Sequence, residues 1–177
     1  RIGRVQNDYE ILDTTQLVKY VINDFLPDVS FTCNNFEQQK WSANTTTSSG
    51  KSVQIDIGTL PSLYANEYRL VQLFTELIKN AFQHNSKDSI RLSIDEDSND
   101  CFWILSITDN GNGIKDQYLP EIFDLFFTTK GDTQSHIGAG LAFAKKIIES
   151  HGGSIEIESE VGEFTTVTIR VPKNLDS

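Results

Sequence analysis

The chain has 177 residues, a length typical of one domain, with 15 basic and 25 acidic side chains and a net charge of −10. This charge argues against a nucleic-acid-binding protein, which needs a basic surface against phosphates. Hydrophobic residues make up 38% of the chain, and no apolar run reaches the roughly 18 residues of a membrane span. Two cysteines, Cys33 and Cys101, are too few for a disulfide framework and fit a reducing compartment. The composition therefore indicates a globular domain.

The first predicted helix follows a short N-terminal stretch. Residues 1–12 show no clear period, and we expect a linker or the end of a helix from a preceding dimerisation domain. Asp13, Thr14 and Thr15 offer capping groups to a helix that Pro27 ends. The chain begins at Arg1 and contains no Met. We expect it to be a piece of a longer protein, and a processed chain would look the same.

Polarity patterns predict the rest of the secondary structure. The elements before residue 85 are a weak strand over 29–33, a loop or long hairpin tip over 38–52, a strand over 53–57 and a helix from Asn66 to about His84. Those after it are a hairpin of strands over 90–94 and 102–108, a helix over 138–150, and strands over 155–157 and 167–171. Hairpins join some strands and helices join others, which favours an α+β two-layer sandwich. We expect a mixed, mostly antiparallel sheet with helices on one face.

A polar stripe marks the second predicted helix. Glu76, Asn80 and His84 recur every four residues and so share one face, with Gln83 beside them. Such a stripe on a surface helix is usually an ordinary solvated face. Its carboxylate, amide and imidazole differ from the Lys/Glu mixture of a plain surface, so a functional site is the alternative.

Two glycine-rich segments offer further chemistry. Asp109 ends an apolar strand and opens the turn 109–113, where Gly111 and Gly113 allow a ligand to approach closely. A carboxylate shielded from water needs a hydrogen-bond donor, and a purine amino group would serve. Gly138-Ala139-Gly140 opens a helix, whose N–H groups form an anion site suited to phosphates. Taken singly, these segments are also compatible with a plain turn and a flexible helix entry.

The order of these motifs is far more specific than any one of them. It resembles the ATP-binding catalytic domain of sensor histidine kinases, in the superfamily that also holds DNA gyrase, the Hsp90 chaperones and the MutL mismatch-repair ATPases. The matching motifs are the N box 76–84, the G1 box 109–113, the F box 123–130 and the G2 box 138–141. The resemblance covers roughly 13–172 and implies a Bergerat-type ATP-binding domain over 13–173, followed by a tail over 174–177.

The resemblance also implies roles for the residues of the N box. Asn80 matches the asparagine that coordinates Mg²⁺, and an amide oxygen is a suitable hard ligand for that ion. Glu76 matches the position near the metal and its water. His84 matches the position that touches the ribose or the phosphates, and Gln83 stands where many members carry a basic residue.

Roles in the remaining boxes follow in the same way. Asp109 matches the aspartate that accepts a hydrogen bond from the adenine amino group, and Thr165 matches a threonine that joins this network through water. The other matching positions are Gly111 and Gly113 in the base pocket, Lys130 at the start of the ATP lid, and Gly138, Gly140 and Leu141 at its far end. Ala142 and Phe164 stand where glycines are usual, so here and at Gln83 the chain departs from the pattern.

The resemblance implies a protein-histidine kinase domain of a two-component system, with ATP and Mg²⁺ as cofactors. It would donate the γ-phosphate to a histidine outside this chain, because His84 lies in the N box, His136 in the lid and His151 at a helix end. The implied partners are the parent protein's own dimerisation domain, N-terminal to this chain, and a response regulator receiver domain, without nucleic acid. The parent would be a homodimer, either membrane-attached or not, with this domain in the cytoplasm.

Three other functions fit the same motifs. One is a degenerate nucleotide-binding or regulatory interaction module, which the three departures allow. Another is an ATP-hydrolysing clamp of the gyrase, Hsp90 or MutL type, in which an Asp-Ala pair commonly follows the asparagine, whereas Ala81-Phe82 follows Asn80 here. The last is a stand-alone serine kinase of the anti-sigma type, against which a tether-like N-terminal stretch argues.

Overall fold

The computed structural model describes residues 8–124 and 137–173. The helices in these ranges are α1 (Thr14–Phe25), α2 (Glu67–Gln83) and α3 (Ile137–Ser150), with a short 3₁₀ helix at Asp116–Glu121. The strands are β1 (Glu10–Asp13), β2 (Thr32–Asn35), β3 (Lys40–Thr46), β4 (Ser52–Ile57), β5 (Ser62–Ala65), β6 (Ser89–Ser98), β7 (Phe102–Asp109), β8 (Ser154–Glu160) and β9 (Phe164–Pro172). None of the helices in these ranges is long and apolar enough to cross a bilayer.

Seven of the strands form one mixed sheet in the order β2-β3-β4-β6-β7-β9-β8. The pairing is antiparallel except between β4 and β6. A parallel pair needs a crossover connection, and here that connection contains β5 and α2. The helix α2 contacts both α1 and α3 and buries Leu73, Phe74 and Ile78 in one core with sheet residues such as Ile94 and Leu105. The predicted α+β sandwich is confirmed.

Side-chain caps define where the first two helices begin. The Asp13 carboxylate accepts the Gln16 N–H at 3.1 Å, and the Asn66 side chain accepts the Arg69 N–H at 3.0 Å. Each satisfies a backbone N–H that has no partner within its helix. The predicted cap at the first helix and the predicted start of the second are confirmed.

The structure corrects three sequence-based expectations. Residues 10–12, expected in a linker or helix end, lie in β1, which pairs with the unpredicted β5; residues 1–7 lie outside the described residues. The polar segment expected as a loop or hairpin tip over 38–52 contains β3, which pairs with β4 and buries Ala43 opposite Ile55. Its tip turns, where the Thr47 N–H donates to the Lys51 carbonyl at 2.8 Å, and residues 38 and 39 belong to the turn before β3. The strand expected over 29–33 begins later, at Thr32.

His151 joins the C-terminal end of α3 to the N-terminal end of α2. Its Nδ1–H donates to the Ile147 carbonyl at 2.8 Å, as expected of an imidazole that caps a helix. Its Nε2 accepts the backbone N–H of Asn66 at 3.2 Å, and Asn66 is only 1% exposed. This bridge joins the ends of two helices that both contribute residues to the candidate site.

Replacing His151 by Ala is expected to lower the free energy of unfolding by roughly 1–3 kcal/mol, because a buried N–H loses its acceptor. Urea denaturation of the two proteins measures the difference. Lys146→Ala, an exposed change on the same helix, is the matched control and is expected to stay within about 0.5 kcal/mol of the parent. Equal stability of the His151 variant and the control would contradict a structural bridge.

Candidate functional site

A cavity opens between α2, α3 and the adjoining ends of strands β7, β8 and β9. Its apolar walls come from Leu77, Ala81, Ile107, Ile114, Leu141, Ile157 and Val167. Its polar groups are few and come from Asn80, His84, Asp109 and Thr165. Apolar walls with a small number of placed polar groups are typical of a small-molecule site.

The cavity collects predicted site residues that are far apart in sequence. Those that line it are Asn80, His84, Asp109, Gly113, Leu141 and Thr165. Gly111 lies beside the cavity; it is buried, and its N–H donates to the Asp109 carboxylate. Gln83 is exposed and is not among the lining residues. Lys130, most of the predicted lid and His136 lie outside the described residues.

Glu76 lies one helical turn before Asn80 and meets the start of α3. A Cβ added to Gly140 would meet the Glu76 carboxylate, so the carboxylate would have to shift if a side chain stood at this position. Gly138 belongs to the same first turn of α3. The carboxylate therefore stands next to the positive end of the α3 dipole, where a negative charge is favoured.

Asp109 is a carboxylate held in a poorly solvated position. Its Oδ1 accepts the Gly111 N–H at 2.8 Å. Burial raises the pKa of Asp109 to about 6, although the Gly111 N–H and the charge of Lys87 lower it in part. Above that pH the group is an ionised acceptor facing an apolar cavity, which suits a ligand that donates a hydrogen bond.

Thr165 supplies a second acceptor beside Asp109, its pairing partner across β7 and β9. The Ser159 hydroxyl donates to the Phe164 carbonyl at 2.8 Å and lies 2.8 Å from the Thr165 hydroxyl. Because the single hydroxyl proton of Ser159 is already donated to the Phe164 carbonyl, the Thr165 hydroxyl donates to Ser159. The lone pairs of the Thr165 oxygen therefore remain available to accept from a ligand. Sequence reasoning missed Ser159, whose only signal is an alternating polar position on a strand.

Asn80 is half-buried, and its buried Nδ2 atom has no hydrogen-bond partner among the described residues. The two ends of an amide are nearly identical in shape, so this atom position is equally that of the oxygen. A buried polar atom without a partner calls for an explanation, and an absent ligand is one. The described residues contain no cluster of three or more His, Cys, Asp or Glu fit to hold a metal ion. Asn80 therefore fits an ion such as Mg²⁺ whose other ligands come from substrate oxygens and water.

Three asparagines whose roles sequence reasoning missed support the turn after Asp109. Asn110 and the buried Asn85 are joined by a 2.8 Å hydrogen bond. Asn112 accepts the Ser86 N–H at 3.1 Å. In the sequence, the signal that could have indicated this role was the presence of three asparagines in the polar segments that directly follow α2 and β7.

Comparison with known proteins gives a family and several relatives. Residues 65–175 match the family described as histidine kinase-, DNA gyrase B- and HSP90-like ATPase. The phytochrome-like protein Cph1 of Synechocystis is 36% identical over 121 residues, which cover 67% of this chain and 16% of that protein. The sensor protein SrrB of Staphylococcus aureus is 40% identical over 110 residues, which cover 59% of this chain and 18% of that protein. The chain thus spans about one sixth of the length of these curated relatives.

Solved structures share the fold at low identity. The mycobacterial sensor histidine kinase MprB aligns with a TM-score of 0.68 at 18% identity, over 92% of this chain and 97% of that one. The catalytic domain of histidine kinase ThkA gives 0.65 at 20%, over 94% and 97%. Full-length ShkA, solved in complex with AMPPNP, gives 0.66 at 21%, over 97% of this chain and 33% of that one.

Proposed function

Because the chain belongs to the histidine kinase-, DNA gyrase B- and HSP90-like ATPase family, we propose that it is the Mg-ATP-binding catalytic domain of a sensor histidine kinase. It donates the γ-phosphate of ATP to a histidine on a dimerisation domain outside this chain. The observation that carries the proposal is the half-buried pair of acceptors, Asp109 and Thr165, in the same cavity as the Asn80 amide, whose Nδ2 has no partner among the described residues. One part of the cavity suits an adenine amino group, and the other suits a metal-bridged phosphate.

The site distinguishes the bases by whether they carry a hydrogen-bond donor or an acceptor at the position that faces Asp109 and Thr165. Asp109 and Thr165 present oxygen acceptors between apolar walls, and the exocyclic amino group of adenine can donate to both. Guanine carries a carbonyl at the same ring position and would face two acceptors without a donor. A buried polar group left unpaired costs roughly 1–3 kcal/mol, which makes the site selective for adenine.

At the phosphate end, Asn80 would hold Mg²⁺ through its side-chain oxygen, and phosphate oxygens and water would complete the shell. When bound, the ion would neutralise phosphate charge, which an acidic chain of net charge −10 does not do globally. Glu76 lies one turn away against Gly140 and would stand near the metal and its water. This chain contributes positioning and electrostatics and forms no covalent intermediate.

The acceptor histidine is proposed to lie on another domain. His151 uses both ring nitrogens between Asn66 and Ile147, and His84 lines the nucleotide cavity itself. His136 lies outside the described residues. The proposed partners are the parent's own dimerisation domain and a response regulator receiver domain, in a homodimeric parent with this domain in the cytoplasm.

Two measurements test the proposal. Calorimetry is expected to show binding of Mg-ATP and of its non-hydrolysable analogue, with much weaker binding of GTP. With γ-labelled ATP, the chain alone is expected to acquire no acid-labile phosphate, whereas a longer form of the protein that carries the dimerisation segment acquires it on a histidine of that segment. A covalent linker raises the effective concentration of the two domains to the millimolar range, so separated domains are expected to react slowly.

Other outcomes point to the other functions. Release of free phosphate without labelled protein would indicate an ATPase clamp. Failure to bind either nucleotide would indicate a degenerate interaction module. Labelling of the isolated chain on His84, His136 or His151 would contradict transfer to a separate domain.

A further inference from the structure

We propose that Asn110, clasped by the buried Asn85, is a positioning residue that sets where the Asp109 carboxylate stands and thereby the preference of the site for adenine over guanine. The inference rests on the proposed function, because it concerns the same nucleotide site. It rests on a set of hydrogen bonds that ties the loop after α2 to the turn after β7.

Asn85 commits both ends of its amide and its backbone carbonyl. It is only 4% exposed, and its Nδ2 donates to Asn110 Oδ1 at 2.8 Å. Its Oδ1 accepts the Lys87 N–H at 3.1 Å, and its carbonyl accepts Lys51 Nζ at 3.1 Å. A buried amide is costly unless it is paired, and this one is paired, so the loop that follows α2 has a defined place.

Asn110 directly follows Asp109, and its side chain is hydrogen-bonded to the beginning of β6. Its Oδ1 accepts the Arg91 N–H at 2.8 Å in addition to the Asn85 amide. Its Nδ2 donates to the Ser89 carbonyl at 2.9 Å. Three side-chain bonds from one residue leave the backbone beside Asp109 little room to shift.

The other side of the turn is held as firmly. Asn112 Oδ1 accepts the Ser86 hydroxyl at 2.6 Å, and its backbone N–H donates to the His84 carbonyl at 2.9 Å. Gly111 lies between these two clamps, and an added Cβ would stand 2.6 Å from both Asp109 Oδ1 and the His84 carbonyl oxygen. Its N–H is thereby aimed at the Asp109 carboxylate at 2.8 Å.

This arrangement does more than close a turn. It joins the end of α2, which carries Asn80 and His84, to the residue that reads the base. A displacement of about 1 Å in a positioned group can cost as much as a hundredfold in function. Loosening Asn110 therefore weakens the Asp109 contact, which adenine makes and guanine does not, while the phosphate contacts common to both nucleotides persist.

The test compares the affinities for Mg-ATP and Mg-GTP by calorimetry at pH 8, where Asp109 is ionised. Asn110→Ala removes all three side-chain bonds, and we expect ATP to bind about tenfold more weakly and GTP less than twofold more weakly. Asn110→Asp keeps the two bonds accepted by Oδ1. Its extra charge weakens both nucleotides alike, so we expect the ATP-to-GTP affinity ratio to recover to within threefold of the parent.

Asn99 supplies a matched control at the far end of the same hairpin. It accepts the Cys101 and Phe102 N–H groups at 2.9 and 2.8 Å, so Asn99→Ala removes comparable bonds but is expected to leave the ratio unchanged. If Asn110→Ala does not fold, Asn85→Ala, which leaves the bonds of Asn110 to Ser89 and Arg91, is expected to lower the ratio about threefold.

The inference alone is overturned if the parent prefers ATP and the Asn110→Ala and Asn85→Ala variants keep that preference. It is equally overturned if Asn99→Ala lowers the ratio as much as Asn110→Ala, or if Asn110→Asp recovers nothing. A parent chain that binds neither nucleotide contradicts the proposed function and removes this inference with it.

Discussion

Replacing Asp109 by Asn is expected to weaken adenine nucleotide binding and, at pH 7, to stabilise the empty protein. The amide can present a donor to the adenine amino group, so the loss of affinity is roughly 1–3 kcal/mol, the cost of an unsatisfied buried polar group. The gain in stability arises because burial raises the pKa of Asp109 from 3.8 to about 6. A shift of that size corresponds to about 3 kcal/mol at most.

The sign of this stability effect follows from the different protonation of Asp109 in the folded and unfolded states. In the unfolded chain the carboxyl loses its proton near 3.8, and in the folded protein near 6. Between these pH values the unfolded state binds fewer protons, so the stability of the parent falls as the pH rises. The cost is complete above about pH 6 and almost absent by about pH 4. The Asp109→Asn variant has no such cost, although its new side-chain oxygen still accepts the Gly111 N–H.

Denaturation of both proteins at pH 7.5 and pH 4 measures the stability effect, and calorimetry with Mg-ADP measures binding. The stability advantage of Asp109→Asn is expected at pH 7.5 and is expected to shrink toward zero at pH 4. Asp24→Asn removes the same charge from an exposed position of α1 and is expected to change neither quantity. Unchanged affinity in Asp109→Asn, or equal binding of ATP and GTP by the parent, would show that Asp109 does not read the base.

Replacing Asn80 by Ala is expected to reduce the affinity for Mg-ATP by tenfold or more while leaving the affinity for metal-free ATP nearly unchanged. In the proposed site, only the metal-bridged contact to the phosphates would depend on the amide oxygen. The free energy of unfolding is expected to stay within about 1 kcal/mol of the parent, because the buried Nδ2 forms no hydrogen bond with the described residues. Titration with ATP in the presence of Mg²⁺ or of a chelator measures the first effect, and urea denaturation the second.

Asn23→Ala is the matched control, since Asn23 is an exposed asparagine inside α1. It is expected to preserve the full response of nucleotide affinity to Mg²⁺. If Asn80→Ala and the parent respond identically to added Mg²⁺, the assignment of Asn80 as the metal ligand is wrong. A large loss of stability with an unchanged response would indicate that the buried amide serves the fold alone.

The local sequence pattern was sufficient to predict the helix α2 and the family of the protein. Buried residues recur along this helix at three- and four-residue steps, and such a period is a property of the chain itself. The order of the four glycine-, asparagine- and phenylalanine-containing motifs predicted the histidine-kinase-like ATPase family, which the match over residues 65–175 confirms. Asp109 also stood out from the sequence, because a single carboxylate follows an apolar strand and precedes two spaced glycines.

Only the tertiary structure decided the elements whose partners are distant in sequence. β1 and β5 are short and gain their hydrogen bonds from each other across about 50 residues, and the Ser/Thr-rich β3 is a strand because β4 and its core-facing residues pair with it. Ser159 and Asn85 are ordinary polar residues in sequence. Ser159 matters because it directs the Thr165 hydroxyl, and Asn85 because it is buried against Asn110. A hydrogen bond depends on distance and direction in three dimensions, so residue type and spacing predicted the chemistry of this protein, whereas packing decided which groups hold that chemistry in place.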